Sequence, residues 1–267
     1  MCNHTKTQRF GWLLGLLAVL MAPVGAAGAD EAAAEPRQVE FFEAIEAGEI
    51  EVQFIPQNAE RANVIIENRG EQPLAIRLPE AFAGVPVLAQ FGGAGGFGGM
   101  QGGRGGRGGT GGMQGVGGGM GGMMGGMGGM GGMGGMGGMF NVEPGRVGRL
   151  RVPTVCLEHG KDDPNPRVPY EIRPIESFTD NQGVIEICRM LGHGEVPQGV
   201  AQAAAWSLTD NLSWEQLATM NRVQLRSGYF ERFFSPEEVE IAMRVVGEAN
   251  RRAAAREVDS SESLSQR

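Results

Sequence analysis

Residues 49–68 read EIEVQFIPQNAERANVIIEN and contain the clearest strand pattern of the chain. Apolar, often β-branched residues alternate with polar ones on either side of a turn signal, Pro56-Gln57-Asn58, which predicts two short antiparallel strands. Similar runs, separated by turn residues, are PLAIRLP (73–79), VPVLAQF (85–91), FNVEPGRVGRLRVPTVCLE (140–158) and VPYEIRPI (168–175). About seven short strands at this spacing predict an antiparallel, Ig-like β-sandwich.

Helical patterns precede and follow these strands. A short helical pattern covers residues 38–48, and apolar residues recur at helical intervals through 184–191 and 198–208. The pairs Ser213–Gln216 and Ser235–Glu238 are capping boxes, which predict the helices WEQLATMNRVQL and VEIAMRVVGEANRRAAAREV behind them. Strands followed by helices make the chain α+β, with a small C-terminal helical bundle after the sandwich.

The amino terminus has the pattern of a secretory signal peptide. Lys6 and Arg9 precede an apolar run at residues 12–22, and the small residues Ala27-Gly28-Ala29 predict cleavage after Ala29. The protein is therefore expected to be secreted, periplasmic or held at the cell surface. The apolar run is shorter than a bilayer requires and no second run follows, so no membrane span is expected in the mature chain.

These patterns divide the chain into seven segments. They are the signal peptide (1–29), a flexible stub (30–37), the first part of the sandwich (38–91), a disordered Gly/Met-rich loop inserted in the sandwich (92–139), the rest of the sandwich (140–175), a helical region (176–256) and a disordered tail (257–267).

Charge restricts the class of partner. The whole chain carries a formal net charge of −8. Removal of the signal peptide takes away two bases and no acids, which leaves 21 − 31 = −10. Nucleic acids and anionic membranes both favour a basic surface, so neither is expected as a partner.

The Gly/Met-rich segment has three interpretations. It is a flexible spacer, because glycine-rich chain buries too little apolar surface to become ordered. It is a soft-metal site for Cu(I) or Ag(I), because the thioethers of Met127, Met130, Met133, Met136 and Met139 repeat every three residues. It is an apolar contact stripe, because a three-residue repeat lines one face of an extended helix. The methionine spacing resembles that of bacterial periplasmic copper and silver proteins, which implies the second interpretation.

Two cysteines remain after signal removal. Cys156 and Cys188 are candidates for a disulfide, because exported chains with two thiols commonly pair them. Alternatively, Cys156 and Cys188 bind zinc together with His159 and His193, or both thiols are free.

A further possibility for Cys156 comes from a resemblance. The sequence AQAAAW (201–206), together with Cys156 in VCLEHGK, resembles the thioester (TQXA) domains of bacterial surface adhesins, with Ala201 where the family has threonine. The resemblance implies that the thiolate of Cys156 attacks the side-chain carbonyl of Gln202 and releases ammonia. The stored acyl bond would then couple covalently to an amine on a surface.

The layout as a whole resembles secreted, uncharacterised planctomycete-type proteins with a Gly/Met-rich insert. The residues that carry this resemblance are 50–90, the insert, VPTVCLEHGK and AQAAAWSLTDNLSWEQLA. It implies export and this layout. The sequence has no G-x-S-x-G, H-E-x-x-H or phosphate-loop motif. We therefore expect a non-enzymatic structural or interaction protein of the cell surface or periplasm, with no cofactor other than Cu(I) or Ag(I) in the soft-metal alternative.

Overall fold

The computed structural model describes residues 35–87, 113–120 and 138–265. Over these residues the chain forms, in order, β1 (Arg37–Glu40), α1 (Phe41–Glu46), β2 (Ile50–Asn58), β3 (Arg61–Asn68), β4 (Leu74–Arg77), β5 (Phe82–Pro86), β6 (Val116–Gly118), β7 (Met139–Val142), β8 (Val147–Cys156), β9 (Tyr170–Pro174), α2 (Gln182–Gly192), α3 (Gln198–Thr209), α4 (Trp214–Thr219), β10 (Asn221–Gln224), β11 (Phe230–Arg232) and α5 (Pro236–Ser265).

Six of the strands close into an antiparallel barrel. Their order is β2-β3-β8-β6-β5-β9, and the barrel closes where Phe54 of β2 pairs with Tyr170 of β9. The rings of Phe54 and Phe82 meet inside it with their centroids 5.5 Å apart. The predicted Ig-like sandwich is therefore wrong, because the edges that a sandwich leaves open are joined here by β6 and β9. The α+β class is confirmed.

Strand β6 also corrects the prediction of a disordered loop over residues 92–139. Gly117 of β6 pairs with Ala83 of β5 on one side and with Val155 of β8 on the other. All residues from Gln114 to Met120 are buried. Part of the glycine-rich segment is therefore an integral strand of the barrel. A three-residue strand with two glycines has none of the alternation that identifies a strand in a sequence.

A second, three-stranded sheet has the order β1-β4-β7, with β1 parallel to β4. Residues 38–40, which were predicted to begin the first helix, belong to strand β1, and α1 begins only at Phe41. Phe41 and Ala44 are the buried residues of α1. Gly48 follows the helix with φ +70°, in the left-handed conformation expected for a helix stop.

The helices form a layer against the barrel instead of a separate bundle. Helices α2, α3 and α5 pack on one another, and α2 and α3 also contact β8. The capping boxes at Ser213 and Ser235 are both present. The helix predicted over 214–225 ends at Thr219, where the β10–β11 hairpin begins. Helix α5 runs to Ser265 and so covers most of the predicted disordered tail.

A buried charge joins two of these helices. Glu186 of α2, whose side chain is 2% exposed, lies 3.2 Å from Arg189 of the same helix and 3.2 Å from Arg256 of α5. Both arginines also reach Glu80, which precedes β5, at 3.3 and 3.4 Å. A buried carboxylate is tolerated only with such partners, so this cluster fixes α2 and α5 relative to the barrel. None of the helices in the described ranges combines the length and apolar character needed to cross a membrane.

We expect Gly119→Ala to destabilise the protein by about 3 kcal/mol. A Cβ on Gly119 would lie 2.4 Å from the carbonyl oxygen of Glu80 and 2.6 Å from that of Cys188, so backbone must move. Urea denaturation measures the change. The control is Gly247→Ala in α5, where a Cβ meets nothing within 4 Å. It should raise the free energy of unfolding by about 0.5–1 kcal/mol. Equal stability of the Gly119→Ala variant and the wild type would contradict the close packing at β6.

Candidate functional site

Cys156 lies at the end of β8, where one edge of the strand has no neighbouring strand. The pairing of β8 with β3 stops at Pro153. On this open edge the Cys156 N–H donates to Oε1 of Gln202 at 2.8 Å, and Nε2 of Gln202 donates to the Cys156 carbonyl at 2.9 Å. The side-chain amide of Gln202 thus substitutes for the peptide group of a missing strand residue.

A second glutamine of α3 extends this edge. Gln198, one helical turn before Gln202, donates from Nε2 to the carbonyl of Thr154 at 3.1 Å. Residues four apart lie on the same face of a helix, so both amides point at β8. The Thr154 N–H donates to the carbonyl of Glu60 at 2.9 Å. Helix α3 is therefore attached to the barrel by side-chain amides that satisfy backbone groups of β8.

The two thiols are free and buried. Cys156 pairs with Val116 of β6, and the side chain of Val116 faces the barrel interior beside Phe54 and Gly84. Cys188 of α2 packs on the outer face of β6, where a Cβ on Gly117 would lie 2.7 Å from its Sγ. Adjacent residues of a strand face opposite sides, so the barrel wall separates the two thiols. The structure does not join the pair for which the sequence predicts a disulfide.

Burial keeps both thiols protonated. Desolvation, with a smaller contribution from the charge of Asp163, raises the pKa of the Cys156 thiol well above its usual range. Desolvation raises the pKa of Cys188 to about 12, against an opposing effect of Arg189. A thioester requires the Cys156 thiolate to attack the Gln202 carbonyl. The structure brings Cys156 and Gln202 into contact, as the adhesin resemblance implies, but the thiol is in its unreactive form and both polar atoms of the amide are engaged.

In the described parts of the chain, His159 and His193 do not belong to a group of His, Cys, Asp and Glu side chains that could bind a metal. The ring of His159 packs edge-on against Trp206, with centroids 4.7 Å apart. Nδ1 of His193 lies 3.8 Å from a carboxylate oxygen of Glu195. Among the described residues, no three His, Cys, Asp or Glu side chains are grouped as metal ligands. Met139 lies in β7. The other four candidate methionines, Met127, Met130, Met133 and Met136, and the cleavage site after Ala29 lie outside the described residues.

A surface feature that the sequence did not reveal is the tip of the β10–β11 hairpin, residues 222–232. Leu225, Tyr229 and Phe230 are all more than half exposed there. The turn is closed by the Leu225 N–H, which donates to the Tyr229 carbonyl at 2.8 Å, and Gly228 has φ +87°. The signal that could have identified this hairpin is the Ser227-Gly228 turn between two short runs with aromatic and β-branched residues.

Comparison of this chain with protein-family models, with curated proteins and with solved structures finds no match.

We expect Gln202→Leu to lower the free energy of unfolding by about 2–4 kcal/mol, because the buried N–H and carbonyl of Cys156 lose their partners. The matched control is Gln224→Leu on the exposed side of β10, which should change stability by less than about 0.5 kcal/mol. Chemical denaturation of both variants measures the difference. If the two substitutions have equal effects, Gln202 is not a structural link between α3 and β8.

Proposed function

We propose that this is an exported, non-enzymatic interaction protein in which the barrel and its helical layer form a rigid support for the hairpin tip. The observation that supports this most directly is the concentration of exposed apolar surface at one place. Leu225, Tyr229 and Phe230 stand within six residues of one another on the hairpin. Exposed apolar residues grouped in this way mark contact surfaces, whereas scattered ones do not.

The charge of the hairpin tip specifies an acidic polypeptide as the partner. Residues 222–232 contain three arginines, Arg222, Arg226 and Arg232, and one acid, Glu231, in a chain that is acidic overall. Arg222 stacks on Phe233 at 4.7 Å and Arg232 on Phe230 at 4.9 Å, which orders both guanidinium groups. Aromatic rings beside arginines form the usual energetic centre of a protein interface.

Export supplies the setting of this proposal and has its own test. We expect the exported chain to begin at Asp30, because Ala27-Gly28-Ala29 matches the requirements of a signal peptidase. Its intact mass should equal that of residues 30–267 with both thiols free. Loss of one ammonia would instead establish the thioester of Cys156 and Gln202, and loss of two hydrogens a disulfide. Recovery of the uncut chain only from the cytoplasm would contradict export.

The partner proposal is tested with a defined probe, a fluorescent peptide that alternates glutamate and leucine. We expect the wild type to bind it, and added salt to weaken binding because the ion pairs are exposed. Replacing Leu225, Tyr229 and Phe230 by serine should weaken binding at least about tenfold, since buried interface anchors each contribute more than about 1 kcal/mol.

Two controls make this result specific. Val147→Ser and Met243→Ser remove exposed apolar side chains elsewhere and should leave binding unchanged. A peptide with glutamine in place of glutamate should bind weakly to the wild type. Equal binding of the glutamine peptide, or full binding by the hairpin variant, would contradict the proposed role of the hairpin tip.

A further inference from the structure

A polar groove lies on the barrel, on strands that do not belong to the hairpin tip. It has a volume of about 310 Å³ and is lined by Gln57, Asn58, Arg61, Asn63 and Arg151. Gln57 and Asn58 lie at the end of β2, Arg61 and Asn63 lie in β3, and Arg151 lies in the neighbouring strand β8. We refer to them together as the amide–arginine groove. Its volume is at the lower end of the range for small-molecule sites, so the ligand or the part of it that is bound must be small.

Strand register places the two arginines side by side. Asn63 of β3 pairs directly with Arg151 of β8, and Arg61 pairs with Pro153. Arg61 and Arg151 are therefore diagonal neighbours on the outer face of the barrel, with Cβ atoms about 7–8 Å apart. At this separation two long side chains can converge on one anion between them.

Neither guanidinium is neutralised by the described parts of the protein, where ion pairs of Arg61 and Arg151 are absent. By contrast, Arg69 binds Glu51 and Glu67, and Arg77 binds Glu40. Two unpaired cations in one groove of an acidic chain favour an anionic ligand.

The remaining groups of the groove are side-chain amides, which both donate and accept hydrogen bonds. Oδ1 of Asn58 already accepts from the N–H groups of Glu60 and Arg61 at 2.9 and 3.1 Å, which leaves its amide hydrogens for a ligand. Gln57 and Asn63 add two more amides beside the guanidinium groups. Such a set matches a ligand that carries hydroxyl groups next to its negative charge.

We propose that the amide–arginine groove binds an acidic carbohydrate, with the ligand carboxylate between Arg61 and Arg151 and its hydroxyl groups against the three amides. The planar guanidinium accepts a carboxylate through two parallel hydrogen bonds, which lysine cannot reproduce. A nucleic acid is less favoured, because phosphate backbones require an extended basic surface and this chain is acidic. The proposal concerns a different surface from the hairpin tip, so either can fail alone.

The experiment is calorimetric titration of the mature chain with an oligogalacturonate. We expect measurable binding to the wild type and no binding of a neutral maltooligosaccharide of the same length. The variant R61Q/R151Q should bind at least about a hundredfold more weakly, because each guanidinium removed should cost at least about tenfold in affinity, or about 1.4 kcal/mol. The matched control is R149Q, two residues away on the same exposed face and outside the groove, which should bind like the wild type.

Further titrations separate the sources of negative charge. Inorganic sulfate and a short single-stranded oligonucleotide should bind at least about tenfold more weakly than the uronide, because neither presents a carboxylate beside hydroxyl groups in this geometry. Equal binding of sulfate, of the oligonucleotide or of the neutral sugar would overturn the assignment. So would equal loss in R149Q and R61Q/R151Q. Circular dichroism should show all variants folded, since the altered side chains are exposed.

Discussion

Direct backbone contact between helix α2 and the glycines that end and follow strand β6 holds the helical layer against the barrel. Gly119 follows β6, and Gly192 ends α2. A Cβ on Gly192 would lie 2.5 Å from the backbone of Gly119, so the two main chains touch. Only glycine on both sides permits this approach. The glycine-rich segment therefore supplies a strand to the barrel and, at the same position, a surface on which the helical layer packs.

The position of α2 determines the other features of the molecule. It places Glu186 among Arg189 and Arg256, so that a buried carboxylate links two helices to the barrel. It puts Cys188 on the outside of the wall whose inner face holds Cys156. Helix α3, packed on α2, presents Gln198 and Gln202 to the open edge of β8. The contact between Cys156 and Gln202, which the sequence suggested as a reactive pair, thus attaches helix α3 to strand β8.

Local signals allowed part of this fold to be predicted. Alternation identified β2, β3, β8 and β9, and serine followed by glutamine or glutamate identified the starts of α4 and α5. Barrel closure could not be predicted, because the sequence of β6, Val116-Gly117-Gly118, carries no strand pattern. It becomes a strand only by pairing with β5 on one side and β8 on the other. The same holds for the hairpin, since Arg222, Val223 and Leu225 also fit a helix, and only the tertiary structure decides.

Of the candidate sites, the contact between Cys156 and Gln202 was predicted only from the resemblance to thioester domains. The resemblance did not predict that the thiol is buried or that the amide of Gln202 is hydrogen-bonded to the backbone of β8. Whether a thiol is reactive depends on burial, which no short motif specifies. The groove at Arg61 and Arg151 could not be predicted from the sequence, because these two arginines lie ninety positions apart and come together only through the pairing of β3 with β8.

The central claim is that residues 116–118, inside a glycine-rich segment, form a permanent strand of the barrel. Hydrogen exchange of their backbone amides tests it most directly. We predict protection as strong as that of β3 and β8, with exchange only through global unfolding. Exchange of these amides at the rate of an unstructured chain, while β3 and β8 stay protected, would contradict the claim and would support the interpretation of the whole segment as a flexible spacer.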